Sequence, residues 1–569
     1  MVHHAVMAPR DLDCLLVHAP KADNHYLPFG EFFNITYMPM GLLAIAEWLR
    51  RRGKAVELVH LGVEWLEDPK FRVAQAYDGA KIRAIGLSLY WHYQSYDAIE
   101  VARALKAAHP EAFVFLGGLT AGYFAAEIVR DYDFIDGVLV GHAEATTEHL
   151  VDALDGGDLG EVAHLVWRTP DGRVRQNDLE SRKFRTGGPA LDELVYGDLS
   201  VMRNPGTYSS SFGFPLAYAR ELTPAENRQM QTMGRAFFPL FIGRGCAWTC
   251  TFCGGNRDTL RKVNGTSKLA WRDPERIVSD IRRAMDFGYK TMALCFDPTP
   301  QKDDYYCTLF QRIREEQLGC DFYFECWGLP TERFVREFKR TFPSPESYLA
   351  ISPDAGDDAV RLRNKQPYYT NVELFETLHL LESTEVTFDV FYTIALPGEN
   401  VHTARASQAQ INEIAAKFRR ARRLMTWSVQ LEPGSPQFER PESFDMITDR
   451  RNFKDFHAAH GGDRADTYSS LGFKIRNFFG DARDEGGIAE FEKHLQHLKC
   501  MEFCFLGRDP RFWATPAAGR QHCHERRTML AERAGVTQPL KPIAADWTYG
   551  DAVAEERALR PRRERHGWV

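Results

Sequence analysis

A chain of 569 residues is longer than one core of ordinary size needs, so two to four domains are expected. Hydrophobic residues make up 44% and charged residues 26%, the balance of a globular protein, which excludes a disordered or fibrous chain. A net charge of −7 supplies no basic field for nucleic acid or anionic membrane, so a small molecule or peptide is the expected substrate.

The opening stretch MVHHAVMAPRDLDCLLVHAP has no apolar core of signal-peptide length, and no window reaches the roughly 18 apolar residues of a membrane span. A cytoplasmic location follows as the expectation. Eleven cysteines, an odd number, read as reduced thiols rather than a disulfide framework.

Residues 12–145 alternate short apolar runs (12–19, 56–61, 85–89, 113–116, 138–140) with amphipathic stretches (44–51, 98–108), the rhythm of βαβ units. A doubly wound parallel sheet is expected over 1–165, with its ligand beyond the carboxyl ends of the strands. Those ends carry residues 88–90, the Gly117–Gly118 pair and residues 141–144. Glycines there allow close approach to a bulky ligand, although each alone also serves a tight strand-to-helix turn.

From 166 to 235 periodicity fades among Gly187, Gly188, Pro189, Pro205 and Gly206, and a linker is expected. A second α/β series then offers strands at 239–242, 290–296, 321–327, 347–351, 387–395 and 426–431, with helices at 274–287, 304–317 and 372–381. Six β/α units over 236–440 suggest a partial (β/α)6 barrel whose chemistry lies at the C-terminal ends of its strands. The remainder, 441–569, reads as a mixed α/β or helical cap that would select the substrate. It closes on a basic run with Arg560, Arg562, Arg563 and Arg565, best read as a solvated tail.

The segment FIGRGCAWTCTFCGGN, residues 241–256, places Cys246, Cys250 and Cys253 at C-x3-C-x2-C spacing directly after a strand. Three thiolates on one loop hold three irons of a [4Fe–4S] cluster and leave the fourth open. Structural zinc needs four ligands, and no fourth lies at finger spacing nearby.

The loop resembles that of the radical S-adenosylmethionine (SAM) superfamily, with an aromatic residue, Phe252, before the third cysteine. The likeness continues through Gly254 and Gly255, Asp297–Pro298, residues 351–356 with Ser352 and Asp354, Asn364–Lys365, residues 369–371, residues 396–400 with Pro397 and Gly398, and residues 432–436. It implies SAM contacts at Phe252, Gly254, Gly255, Ser352, Asp354, Pro397 and Gly398. The N-terminal sheet is similar to the cobalamin-binding domain of one branch of that superfamily. Met38, Pro39 and Gly41, Ser88 and Leu89 with the following Tyr90 and Trp91, Gly117, Gly118, Gly141 and Glu144 carry that likeness as cobalamin contacts. The Asp-x-His-x-x-Gly motif that offers a histidine to cobalt is absent after the first strand, where the sequence runs from Ala19 to His25. His92 remains a ligand candidate, with packing among its aromatic neighbours as the preferred reading.

The resemblance implies a cobalamin-dependent radical SAM C-methyltransferase. One SAM would be cleaved to a deoxyadenosyl radical, methylcobalamin would donate the methyl group, and an external donor of flavodoxin or ferredoxin type would supply electrons. Ring contraction or oxidative cyclisation is the alternative, and a non-catalytic cobalamin- or SAM-binding regulator a further one. Asp297, Glu325, Trp327, Tyr392 and Gln430 fall near strand ends and are candidates to meet the substrate, a one-residue slip turning any of them from the lumen to the helix layer. Cys14, Cys295, Cys307, Cys320 and Cys326 read as core. Cys500, Cys504, His522, Cys523 and His524 suit a metal or an ordinary helix face, and residues 504–513 suit an active-site closure.

Overall fold

A computed structural model describes residues 11–21, 38–68, 70–177, 190–210, 236–294, 297, 303–461 and 472–475. The cysteines and histidines at 500–524, the segment 504–513 and the terminal basic run lie outside them, as do Cys295 and Pro298.

The N-terminal sheet contains β1 (Leu12–His18), β2 (Val56–His60), β3 (Ile82–Ser88), β4 (Phe113–Gly117), β5 (Gly137–Leu139), β6 (Leu165–Arg168) and β7 (Val174–Gln176), ordered β2-β1-β3-β4-β5-β6-β7. The first five strands are parallel and β6 and β7 antiparallel, so the sheet runs past residue 165 to Gln176. Strand β1 shows why it is covered on both faces. Cys14 and Leu16 pack with Leu42 and Leu43 of the helix Met40–Arg51, whereas Leu15 and Val17 pack with Ile99 and Val101 of the helix Ser95–Ala108. Strand order reverses between β1 and β3, which opens a crevice above their carboxyl ends.

A two-residue ribbon, β9 (Gly243–Arg244) with β10 (Ala270–Trp271), precedes the second sheet's main run. That sheet comprises β8 (Phe237–Pro239), β11 (Thr291–Leu294), β12 (Asp321–Cys326), β13 (Tyr348–Asp354), β14 (Thr387–Ile394) and β15 (Ala421–Ser428), all parallel, ordered β15-β14-β13-β12-β11-β8. Helices Pro274–Asp286, Asp303–Glu315, Glu332–Thr341, Asn371–Ser383 and Val401–Lys417 separate the strands. This is the six-stranded partial barrel expected from the alternation.

Alternation along β12 divides helix layer from lumen. Phe322, Phe324 and Cys326 join Phe310, Phe334 and Phe338 of the helices, while Tyr323 joins Ala293, Tyr348 and Ala350 in a separate inner cluster. The expected first strand, 239–242, ends instead at Pro239, and the expected last strand, 426–431, begins at Ala421.

A short pair, β16 (Met446–Thr448) with β17 (Phe473–Ile475), follows the barrel, and the helix Phe453–Gly461 returns the chain to the N-terminal domain. There Lys21 Nζ donates to the His460 carbonyl at 2.6 Å, and the Phe453 amide donates to Glu127 Oε2 at 2.8 Å. No helix among the described residues is long and apolar enough to cross a membrane.

Candidate active site at the cysteine loop and the sheet crevice

The cysteine loop leaves β9 and ends at Asn256, which caps the helix Arg257–Asn264 by accepting from the amides of Asp258 and Thr259. The same side chain donates to the Cys253 carbonyl at 2.6 Å, so the cap fixes the third cysteine. Thr251 is tied to Asn364 twice, amide to carbonyl at 3.0 Å and hydroxyl to Oδ1 at 2.5 Å. Asn364 Nδ2 in turn donates to the carbonyls of Val360 and Pro397. The Gly254 amide donates to Glu432 Oε2 at 2.6 Å, and a Cβ on Gly254 would meet the Pro433 carbonyl oxygen at 2.7 Å. Glycine is required there because the loop lies directly on the end of the barrel.

The three thiols act on one another electrostatically, and burial pushes each upward, Cys253 most, with Glu432 and Cys250 adding to its shift. They therefore hold protons until iron displaces them. Cys246 Sγ accepts from the Trp248 amide at 3.4 Å and Cys250 Sγ from the Gln366 amide at 3.3 Å. Among the described residues no three side chains are placed to share one metal ion. A cluster asks for no such grouping, since each thiolate binds its own iron. Three thiols on one glycine-bearing loop, near enough to shift one another, fit a [4Fe–4S] group.

Strand ends of the barrel complete the polar rim. Asp354, in a left-handed conformation at φ 62°, accepts from Lys365 Nζ at 2.6 Å on one oxygen and from Thr393 Oγ1 at 2.6 Å on the other. Ser352 lies just below it on β13, buried. Glu399 accepts from the amides of Ala395 and Leu396, and burial pushes it up to about 8. Pro397 receives Asn364, and Gly398, at φ 84°, lies against Arg363. Phe252 is half-buried against the N-terminal core, and Gly255 lies 3.9 Å from Leu119 by its would-be Cβ.

Of the five substrate candidates, the alternation keeps Glu325 and Trp327 on the lumen side. Both are partly accessible. Tyr392 is a correction: fully buried, it donates to Gln410 Oε1 at 2.7 Å in the helix layer, because its neighbour Phe391 takes the inner face. Asp297 is a second correction. It accepts from the Tyr306 hydroxyl at 2.6 Å, again in the helix layer, and has no solvent access. Gln430 is half-buried and its carbonyl accepts from Gln437.

Around the sheet crevice, Gly41 has open space where a Cβ would stand, and for Gly117 the nearest atom is the Leu139 carbonyl oxygen at 3.9 Å. Ser88 is hydrogen-bonded to His18 at 2.6 Å, at the facing ends of β1 and β3. Tyr90 and Trp91 are 47% and 37% exposed. Yet the Tyr90 hydroxyl is pushed up to about 12, first by burial and then by Cys253 and Glu432. The Tyr90 hydroxyl is thus within electrostatic reach of the cysteine loop and of Glu432.

The other expected cobalamin contacts hold the crevice rather than line it. Met38 and Leu89 are in the core, and Pro39 starts the helix Met40–Arg51. Gly118, at φ 110°, would press a Cβ to within 2.8 Å of the Leu89 backbone, and Gly141 packs on Asn264. Glu144 pairs with Arg244 two residues before Cys246, joining the two domains. His92 packs against Phe456 and lies 3.1 Å from His460, held neutral by burial, so it points to the C-terminal helix. An open crevice with glycine edges and an aromatic wall fits a corrin. Sequence reading missed Arg244, Thr393 and Asn256. Only Asn256 carried a signal, as a polar residue opening a helix after the glycines.

A B12 binding domain family model matches residues 34–151, and a Radical SAM superfamily model matches residues 240–408. The chain belongs to the cobalamin-dependent radical SAM family. Its cofactors are those of that family: cobalamin, SAM and a [4Fe–4S] cluster. The hopanoid C-3 methylase of Methylococcus capsulatus is 25% identical over 356 residues, 61% of this chain and 59% of that protein. The anaerobic magnesium-protoporphyrin IX monomethyl ester cyclase of Rubrivivax gelatinosus is 22% identical over 42% of this chain and 36% of its own length. The chain thus spans less than two thirds of these curated relatives. The solved radical SAM methyltransferase TsrM of Kitasatospora setae, holding tryptophan and a SAM analog, shares the fold at a TM-score of 0.61 and 13% identity, covering 97% and 99% of the two chains. The cobalamin-dependent enzyme OxsB with aqua-cobalamin gives 0.53 at 12% identity, covering 97% and 84%.

Proposed function

We propose that this chain transfers a methyl group to a carbon of a small-molecule intermediate in the cavity between the sheet crevice and the barrel. The observation that carries this reading is Tyr90, which stands at the end of β3 and is acted on by both Cys253 and Glu432. This reading therefore sets the reaction between the crevice and the cysteine loop.

When bound, the cluster with SAM supplies radical chemistry and cobalamin supplies the methyl group. The chain's own residues position and enclose. Thr251, Asn364 and Asn256 hold the cysteine loop against the strand ends, and Glu432 holds the Gly254 amide. Tyr90 and Trp91, ring centroids 4.9 Å apart, wall the crevice and exclude water. Residues 41, 88, 90, 91 and 117 on the cobalamin side, with 38, 39, 89, 118, 141 and 144 shaping the crevice behind them, and 252, 254, 255, 352, 354, 397 and 398 on the SAM side, are the roles this reading assigns. Asn364 and Glu432 support them, and a one-electron donor of flavodoxin or ferredoxin type completes the cycle.

The test is anaerobic incubation with reductant and methyl-deuterated SAM, following deoxyadenosine and the label. Cys250→Ala is expected to abolish both iron–sulfur absorbance and SAM cleavage while cobalamin stays bound; retained cleavage contradicts the cluster assignment. The relative named as a cyclase favours a second reading, a non-methylating oxidation. Deoxyadenosine formed with a product that carries no label would establish it.

A further inference from the structure

We propose that Glu325 receives a positively charged group of the ligand that fills the barrel lumen. Glu325 is the penultimate residue of β12, on the strand face that points inward, level with Ala350 of β13 and one layer above Ala293, Tyr323 and Tyr348. Its only hydrogen bond among the described residues comes from the Tyr323 hydroxyl at a long 3.4 Å.

Charge is out of balance around it. The charged groups that act on Glu325 are Lys365 and Asp354, and Lys365 is already committed to Asp354 at 2.6 Å, both side chains less than 10% exposed. Thr393 occupies the other Asp354 oxygen, which leaves that pair complete without Glu325. Two carboxylates thus face one ammonium in a place where an uncompensated charge is costly. A proton can restore balance, in line with a carboxyl that burial pushes up to about 7. A ligand cation restores it better, because a charge-assisted hydrogen bond in a desolvated site is roughly twice as strong as a neutral one.

The ligand class is therefore an ammonium or sulfonium on a small organic body. SAM itself carries both, and an amine-bearing substrate carries the first. This inference rests on the lumen being the reaction chamber, and iron, cobalt and SAM cleavage measured on the same samples report on that reading separately.

The experiment compares reconstituted holoprotein with its Glu325→Gln variant. In the first arm, equilibrium binding of SAM is set against S-adenosylhomocysteine, whose sulfur is uncharged. If SAM supplies the cation, the variant weakens SAM binding by about tenfold, the worth of one charge-assisted bond, for SAM alone when the sulfonium is the cation and for both ligands when the ammonium is. In the second arm, SAM-loaded protein meets small amines paired with their N-acetyl counterparts, read by saturation-transfer NMR. If the substrate supplies the cation, SAM binding is unchanged and the wild type alone prefers the amines. Glu325→Asp keeps the charge and is expected to keep the preference, which separates charge from packing. Equal behaviour of wild type and Glu325→Gln in both arms overturns the proposal.

Discussion

Asn364 shows how much one buried side chain carries. It receives the Thr251 hydroxyl and donates to the carbonyls of Val360 and Pro397, linking the cysteine loop to the helix Asp358–Asn364 and to the segment after β14. Asn364→Ala leaves those partners unpaired and is expected to cost about 2 kcal/mol of stability, read in a denaturant titration, together with slower iron incorporation. Glu399 gives a pH signature. Its folded-state value is raised to about 8 from 4.5, chiefly by burial, so the folded state binds a proton the unfolded chain releases. The stability this contributes is complete below about 4.5 and is lost as pH rises through 8. Glu399→Gln is expected to flatten the fall in stability across that window, measured as unfolding midpoint against pH; an unchanged slope contradicts it.

Among the elements, the turn after β4 fixes the crevice. At Gly118 an added Cβ meets backbone atoms of Leu89 at 2.8 Å and needs a left-handed φ, neither of which gives way cheaply. Gly118→Val is expected to lower bound cobalt while leaving iron content unchanged. These turns were legible in sequence because apolar runs end on glycine pairs, and β12 and β14 start at Asp321 and Thr387 as the alternation implied. The outer barrel strands were not. Phe237 to Ile242 is apolar throughout, so nothing marked where pairing stops at Pro239. The start of β15 is arginine-rich and reads as loop, yet Arg422 pairs with buried Asp389 and lies 3.5 Å over the Tyr348 ring. Inward and outward positions were least legible. Phe391 and Tyr392 are equally plausible lumen residues until Gln410 is seen to claim the tyrosine.

Across the whole molecule, the two cofactor sites are joined by a buried ion pair between Glu144, after β5, and Arg244, before Cys246. Removing one partner of such a pair costs about 3–5 kcal/mol because the other charge stays buried. Glu144→Gln alone is expected to lower the melting temperature more than the double variant Glu144→Gln with Arg244→Met; additive losses contradict a coupled pair. The C-terminal helix Phe453–Gly461 adds a second join, since Lys21 meets both His460 and Asp97. Anaerobic purification and reconstitution, followed by iron, sulfide and cobalt analysis per chain, tests the two-cofactor chamber most directly. About four irons and one cobalt are expected; iron without cobalt would keep the barrel chemistry and contradict the cobalamin crevice.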